Sequence, residues 1–144
     1  MTGVQTCALP ISNMLHSIRQ VINNDEKFRS ILRGLNKTYY HSTVTSKEVE
    51  TYISKHSGID LSKIFDQYLR TTKIPALEYK IENGILSYRW SNTIKGFNMP
   101  LKVTLNKDIF TFIYPTTEFK KIKITSTHIK VDPNFYVEVK ELGK

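Results

Sequence analysis

Asp60-Leu61-Ser62-Lys63-Ile64-Phe65-Asp66-Gln67-Tyr68-Leu69, continuing through Arg70 to Ile74-Pro75, is the stretch that divides this chain. Leu61, Ile64, Phe65, Tyr68 and Leu69 recur at i, i+3, i+4, i+7 and i+8, which predicts a short amphipathic helix burying those five side chains. Asp60 is placed to cap it, because a side-chain oxygen there can accept the free N–H groups of the first turn. Pro75 has no N–H to continue the helix and pushes Ile74 toward an extended conformation. A helix therefore ends before Pro75 and a strand begins after it.

Upstream the period is helical. Met14, Leu15, Ile18, Val21 and Ile22 form one apolar stripe, and Asn23-Asn24-Asp25 breaks it and supplies caps. A second helix is expected to bury Phe28, Ile31, Leu32 and Leu35, with Glu26 near its positive end. Residues 36–44 read as a polar loop. Thr45-Ser46-Lys47-Glu48 is a capping box opening a third helix, which buries Val49, Tyr52 and Ile53 and stops at Gly58. Connections this short favour helices packed against their sequence neighbours.

Downstream the period is two. Leu77, Tyr79 and Ile81 alternate with Glu78, Lys80 and Glu82, and Asn83-Gly84 is a hairpin turn leading into Ile85, Leu86, Tyr88 and Trp90. Further strands are expected over 101–105, 109–114, 119–125 and 135–139, with turns at Asn106-Lys107-Asp108 and Asp132-Pro133-Asn134. The expected class is α+β: a short helical bundle followed by an antiparallel β-sandwich. About 70 residues is small for two full sheets, so the strand core is expected to lean on the helices.

The 144 residues have the apolar and charged content of a globular protein. No run approaches the roughly 20 apolar residues of a membrane span, and the N-terminus lacks the pattern of a secretory signal. A single cysteine, Cys7, excludes an internal disulfide. Met1 to Ser12 fit neither pattern. Val4-Gln5-Thr6-Cys7-Ala8-Leu9-Pro10-Ile11 resembles one translated frame of a short-read sequencing adapter, GTT CAG ACG TGT GCT CTT CCG ATC. Residues 1–12 are accordingly expected to be a non-native artefact without a fold of their own, with Cys7 no nucleophile and the natural protein continuing upstream. Residues 13–72 and 73–144 are the two expected domains.

The junction resembles that of the zinc aminopeptidases of the membrane alanyl aminopeptidase and leukotriene hydrolase family, a group of gluzincin metallopeptidases. There the catalytic domain ends in D-L-S-x-F-F-D-Q-W-L, followed shortly by L-P-x-L-x-Y. Here Asp60 to Leu69 and Ile74-Pro75-Ala76-Leu77-Glu78-Tyr79 match, with Ile64 for phenylalanine and Tyr68 for tryptophan. Asn13 to Arg19 resembles the helix following that family's Y-x-K-G-A motif, and Asp25-Glu26-Lys27-Phe28 resembles the D-E-K-F start of the next. The resemblance covers residues 13–144 and is strongest up to Tyr79. It implies a parent enzyme that removes N-terminal residues from peptides with a zinc-activated water.

The departures bear on function. The family's zinc sits on the two histidines of H-E-x-x-H and a later glutamate, with the motif's own glutamate as base. His16, His41, His56 and His128 are isolated in this chain, and the substrate-gripping exopeptidase motif is absent. The tyrosine of Y-x-K-G-A would fall at Ala8, inside the adapter-like stretch. The expectation is therefore a C-terminal fragment with no catalytic, cofactor-binding or metal residues and no bound zinc. Its implied partners are the missing N-terminal part of the same enzyme and, in the parent, a peptide substrate. It is expected to have no nucleic-acid partner and no membrane span, and the compartment stays open. Helices cut from their partner domain are expected to leave apolar surface exposed.

Each sharper reading has a plainer one beside it. His16 reads as a surface or partly packed histidine and His41 as a capping or loop residue, while Asp66 and Glu50 read as solvent-exposed or, for Asp66, ion-paired. Lys120, Lys121, Lys123 and Lys130, with Phe119 and Tyr136 nearby and a net charge of +8, suggest a nucleic-acid face. Lys121 and Lys123 alternate with Ile122 and Ile124, however, as on any half-buried strand. Trp90 and Tyr88 suit a carbohydrate platform, but core or domain-interface packing is the expected role. The main alternative to the peptidase fragment is a non-enzymatic β-sandwich binding module.

Overall fold

The computed structural model describes residues 2–143, with side chains described from Ile11 onward. Four helices precede six strands: α1 (Thr2–Ile22), α2 (Asp25–Thr38), α3 (Ser46–Ser57), α4 (Ser62–Arg70), β1 (Ala76–Glu82), β2 (Ile85–Ser91), β3 (Leu101–Thr104), β4 (Phe110–Ile113), β5 (Lys120–Lys123) and β6 (Glu138–Glu141). The class is α+β, helices first and strands after. No helix among the described residues is long and apolar enough to cross a membrane.

The helix ends follow local chemistry. Asn24 accepts the Lys27 N–H at the start of α2, Thr45 and Glu48 form the reciprocal capping box of α3, and Gly58 closes α3 with φ +74°. Asp60 acts one position earlier than expected. Its carboxylate accepts the Ser62 N–H at 3.0 Å, leaving Leu61 as the cap residue with no side-chain cap bond. An Asx turn thus leads into α4 in place of a simple N-cap. Residues 2–12 also differ from expectation, since α1 runs back to Thr2. Ile11 and Ser12 are exposed, and the first core residue among the described side chains of α1 is Met14. The side chains of Cys7 and Ala8 lie outside the described residues.

The helices close a ring, α1 touching α2 and α4 while α3 touches the same two. Two expected core residues are not buried: Leu32 is 41% exposed and Leu69 37%. α2 sits at the rim of the bundle and buries only Ile31 fully, with Phe28 and Leu35 half-buried. Gly34 accommodates α3 there, because a Cβ at that position would collide with the Tyr52 hydroxyl.

The strands form a four-stranded sheet in the order β5-β2-β1-β6 and a separate β3-β4 pair. Asn83 and Gly84 turn between β1 and β2 with φ +52° and +73°, as a tight hairpin requires. The antiparallel expectation fails at one ladder, where β6 runs parallel to β1, pairing Ala76 with Glu138 through Tyr79 with Glu141. A parallel neighbour needs a long crossover, and the whole excursion from residue 83 to 137 supplies it. Phe135 does not open the last strand; it is buried in the turn, its N–H donating to the Asp132 carbonyl. One hydrophobic cluster runs from Ile18, Ile53, Leu61 and Phe65 in the helices to Leu77, Trp90, Leu101 and Ile113 in the strands.

Candidate functional site at the helix–strand junction

The densest set of non-local side-chain interactions lies where α4 meets the strands. Gln67 is fully buried although it is polar. Its amide nitrogen donates to the Lys73 carbonyl at 2.9 Å and reaches Thr71 Oγ1 and the Asn92 carbonyl at 3.4 and 3.5 Å. Its amide oxygen accepts the Ile94 N–H at 2.7 Å. A single side chain thus ties the last helix, the linker to β1 and the loop after β2. Asn92 reinforces the tie by donating to the Ile74 carbonyl at 3.0 Å.

Tyr68 makes the second tie. Its ring is buried and tilted against Tyr136, and its hydroxyl donates to the Tyr136 carbonyl at 2.6 Å. The Tyr136 N–H donates in turn to Ser17 Oγ at 3.0 Å, joining α1, α4 and the segment before β6. Burial pushes the Tyr68 phenol well above the ordinary tyrosine range. Tyr79 and Tyr88 are raised by the same cause first. A phenol whose pKa is raised by folding stabilises the fold below its unfolded pKa of about 10 and ceases to do so as pH rises toward the folded value. Tyr68→Phe is expected to cost about 1 kcal/mol at pH 7, leaving the Tyr136 carbonyl unpaired. It should also flatten the loss of stability above pH ~10. Denaturant melts at pH 7 and pH 11 check both parts; an unchanged alkaline slope would contradict the assignment.

The third group is ionic. Arg70 donates to Glu50 at 2.8 Å and to Asp66 at 3.0 Å. Glu50, expected at the surface, is 4% exposed, since it lies one turn before Ile53 on the inward side of α3. Burial disfavours its carboxylate, yet hydrogen bonds from Arg70 and Ser46 and the charges of Arg70 and Lys47 hold its pKa below the usual value. Both carboxylates therefore face a guanidinium, an arrangement suited to joining α3 to α4 and not to exchanging a proton with substrate. Arg70→Ala is expected to cost about 1–2 kcal/mol at pH 7, because it strands a buried carboxylate. Without Arg70, burial is opposed only by Ser46 and Lys47, so the Glu50 pKa in the fold is expected to rise and the loss to shrink as pH falls toward 4 and the carboxyl takes up a proton. An equal loss at both pH values would contradict this.

The structure disperses the other candidates. His16 pairs with Asn134 Oδ1 at 3.0 Å, His41 stands edge-on to Tyr40, and His56 stacks on Tyr52 at 3.8 Å. No group of three or more His, Cys, Asp or Glu among the described residues is placed to hold a metal. Lys120 donates to the Tyr114 carbonyl and Lys130 lies 3.4 Å from Asp108, while Phe119 is covered by the Arg89 guanidinium at 4.5 Å. Trp90 is 1% exposed, edge-on to Phe97, with its indole N–H on the Met99 carbonyl, so it is a core residue and no platform. Sequence reasoning missed Gln67 and Ser17 as junction residues. The available signal was their spacing, Gln67 three residues after Ile64 and Ser17 three after Met14, each on an apolar stripe.

No family model matches the chain, and no curated protein matches it. Among solved structures it is similar to the aminopeptidase A of Legionella pneumophila, crystallised in complex with aspartic acid. That likeness has a TM-score of 0.72 at 15% sequence identity, over 92% of this chain and 17% of that one. The chain thus has a fold that also makes up about a sixth of an aminopeptidase.

Proposed function

We propose that residues 13–144 are part of a zinc-dependent aminopeptidase: the last helices of its catalytic domain and the β-rich domain after them. The observation that supports this reading is the junction itself. The residues that resemble the family's motif, Asp60 to Leu69 and Ile74 to Tyr79, are those that turn the fold from helix to strand. The likeness to an aminopeptidase over 92% of the chain points the same way.

Within such an enzyme this piece is structural. His16 and His56 are engaged with asparagine and tyrosine, Glu50 and Asp66 with arginine, and no three His, Cys, Asp or Glu among the described residues converge as a zinc site requires. The role of these side chains is to hold the end of a catalytic domain rigidly against the following sheets, as a supporting shell must. The test is the coding sequence across the Ser12–Asn13 junction in the source DNA. An uninterrupted frame with H-E-x-x-H upstream of Asn13 is expected, whereas a native start near Met14 with no such motif would overturn the reading in favour of a free-standing binding module. The isolated chain should also leave an aminoacyl-anilide uncleaved with zinc added, and zinc-dependent cleavage would contradict the structural role.

A further inference from the structure

Strand β4 has one partner, β3, and its other edge pairs with no strand among the described residues. The far edge of β3 is taken up by Lys130 to Asp132, through the Thr104 N–H to the Lys130 carbonyl and the Asp132 N–H to the Lys102 carbonyl. The free edge of β4 is unusual in composition. Ile109 to Tyr114 has no charge, no glycine and no proline, and every residue is β-branched or aromatic. Ile109, Phe110 and Tyr114 are 66%, 45% and 59% exposed. Lys120 covers one end of the segment by donating to the Tyr114 carbonyl, but Phe110 to Ile113 carries no charge, proline or glycine, and such an edge is a pairing site.

The sequence also says what pairs there. Ile109-Phe110-Thr111-Phe112-Ile113 reads the same in both directions. An antiparallel partner of identical sequence, related by a two-fold axis at Thr111, sets Thr111 opposite Thr111, Phe110 opposite Phe112 and Ile109 opposite Ile113. Aromatic pairs and threonine pairs are among the favourable cross-strand combinations. Charge agrees with the pattern. A chain of net charge +8 repels its own copy, and a two-fold pairing at β4 sets no charged residue of the strand against another. On β5 a two-fold pairing sets lysine against lysine, whether centred on Lys121 or on Ile122. On β6 a two-fold centred on Val139 sets Glu138 against Lys140, but that strand has a single apolar residue and none of the aromatic content of β4.

We infer that the chain self-associates through β4, joining two β3-β4 pairs into a continuous four-stranded sheet. This inference stands apart from the peptidase reading. Two short strands bury little area, so the dimer is a weak one, forming between about 1 μM and 1 mM protein. Sedimentation equilibrium on the 144-residue chain over that range is expected to show the mass doubling. Thr111 is exposed, so Thr111→Lys should keep the circular dichroism spectrum while raising the dissociation constant at least about tenfold, because it sets two lysines face to face. Mixing Thr111→Lys with Thr111→Glu should restore the dimer. A wild-type chain that stays monomeric throughout, a dimer unaffected by Thr111→Lys, or a charge-swapped mixture that stays monomeric would each overturn the inference.

Discussion

Gln67→Ala is expected to destabilise the fold by about 3 kcal/mol, a large share of the stability of a domain this size. The substitution strands the Ile94 N–H and the Lys73 carbonyl, both bonded to the Gln67 amide at 2.7 and 2.9 Å, and leaves a cavity at a fully buried position. Gln67→Met separates the two contributions, because it keeps most of the volume and removes both bonds. It should recover the cavity part alone, about 1 kcal/mol. Gln67→Glu keeps an acceptor for Ile94 but turns a carboxylate toward the Lys73 and Asn92 carbonyls. Its defect should be severe at pH 7 and milder near pH 4, where the protonated carboxyl can donate. Urea titrations of the three variants check this order; equal losses would mean that the amide bonds carry no specific weight.

Trp90→Ala is expected to cost more, about 4 kcal/mol, since it empties the largest fully buried side chain of the core. Trp90→Phe keeps a ring against Phe97 but leaves the Met99 carbonyl without its indole partner, for an expected loss of about 1–2 kcal/mol. Helical circular dichroism is the readout, because the chain has no other tryptophan to report. A loss under about 1 kcal/mol for Trp90→Ala would contradict its central place in the core.

Much of this fold was legible because it rests on local chemistry. The capping box at Thr45, the glycine stop at Gly58, the Asn83-Gly84 turn and the break at Pro75 each depend on residues adjacent in sequence. Non-local choices were not legible. The parallel seat of β6 beside β1 depends on a crossover of more than fifty residues, which no strand pattern encodes. Leu32 and Leu69 satisfy the helical period yet face outward, because the period defines a stripe and not its width or the edge of the bundle. At the junction the apolar members of the helix were readable, while Gln67 and Glu50 were not. A polar side chain on an apolar stripe is buried only if the rest of the fold supplies partners, and those lie 27 residues away at Ile94 and 20 away at Arg70.

The junction welds helices and strands into one unit with a shared hydrophobic cluster, not two loosely tethered domains. The four helices all precede Pro75, and the one tryptophan, Trp90, lies after it. Equilibrium unfolding followed at once by helical circular dichroism and by Trp90 fluorescence therefore reports on each half separately. The two transitions are expected to coincide in midpoint and slope, and Gln67→Ala is expected to move both by the same amount. A fluorescence transition that stays in place while the helices melt earlier would contradict the claim.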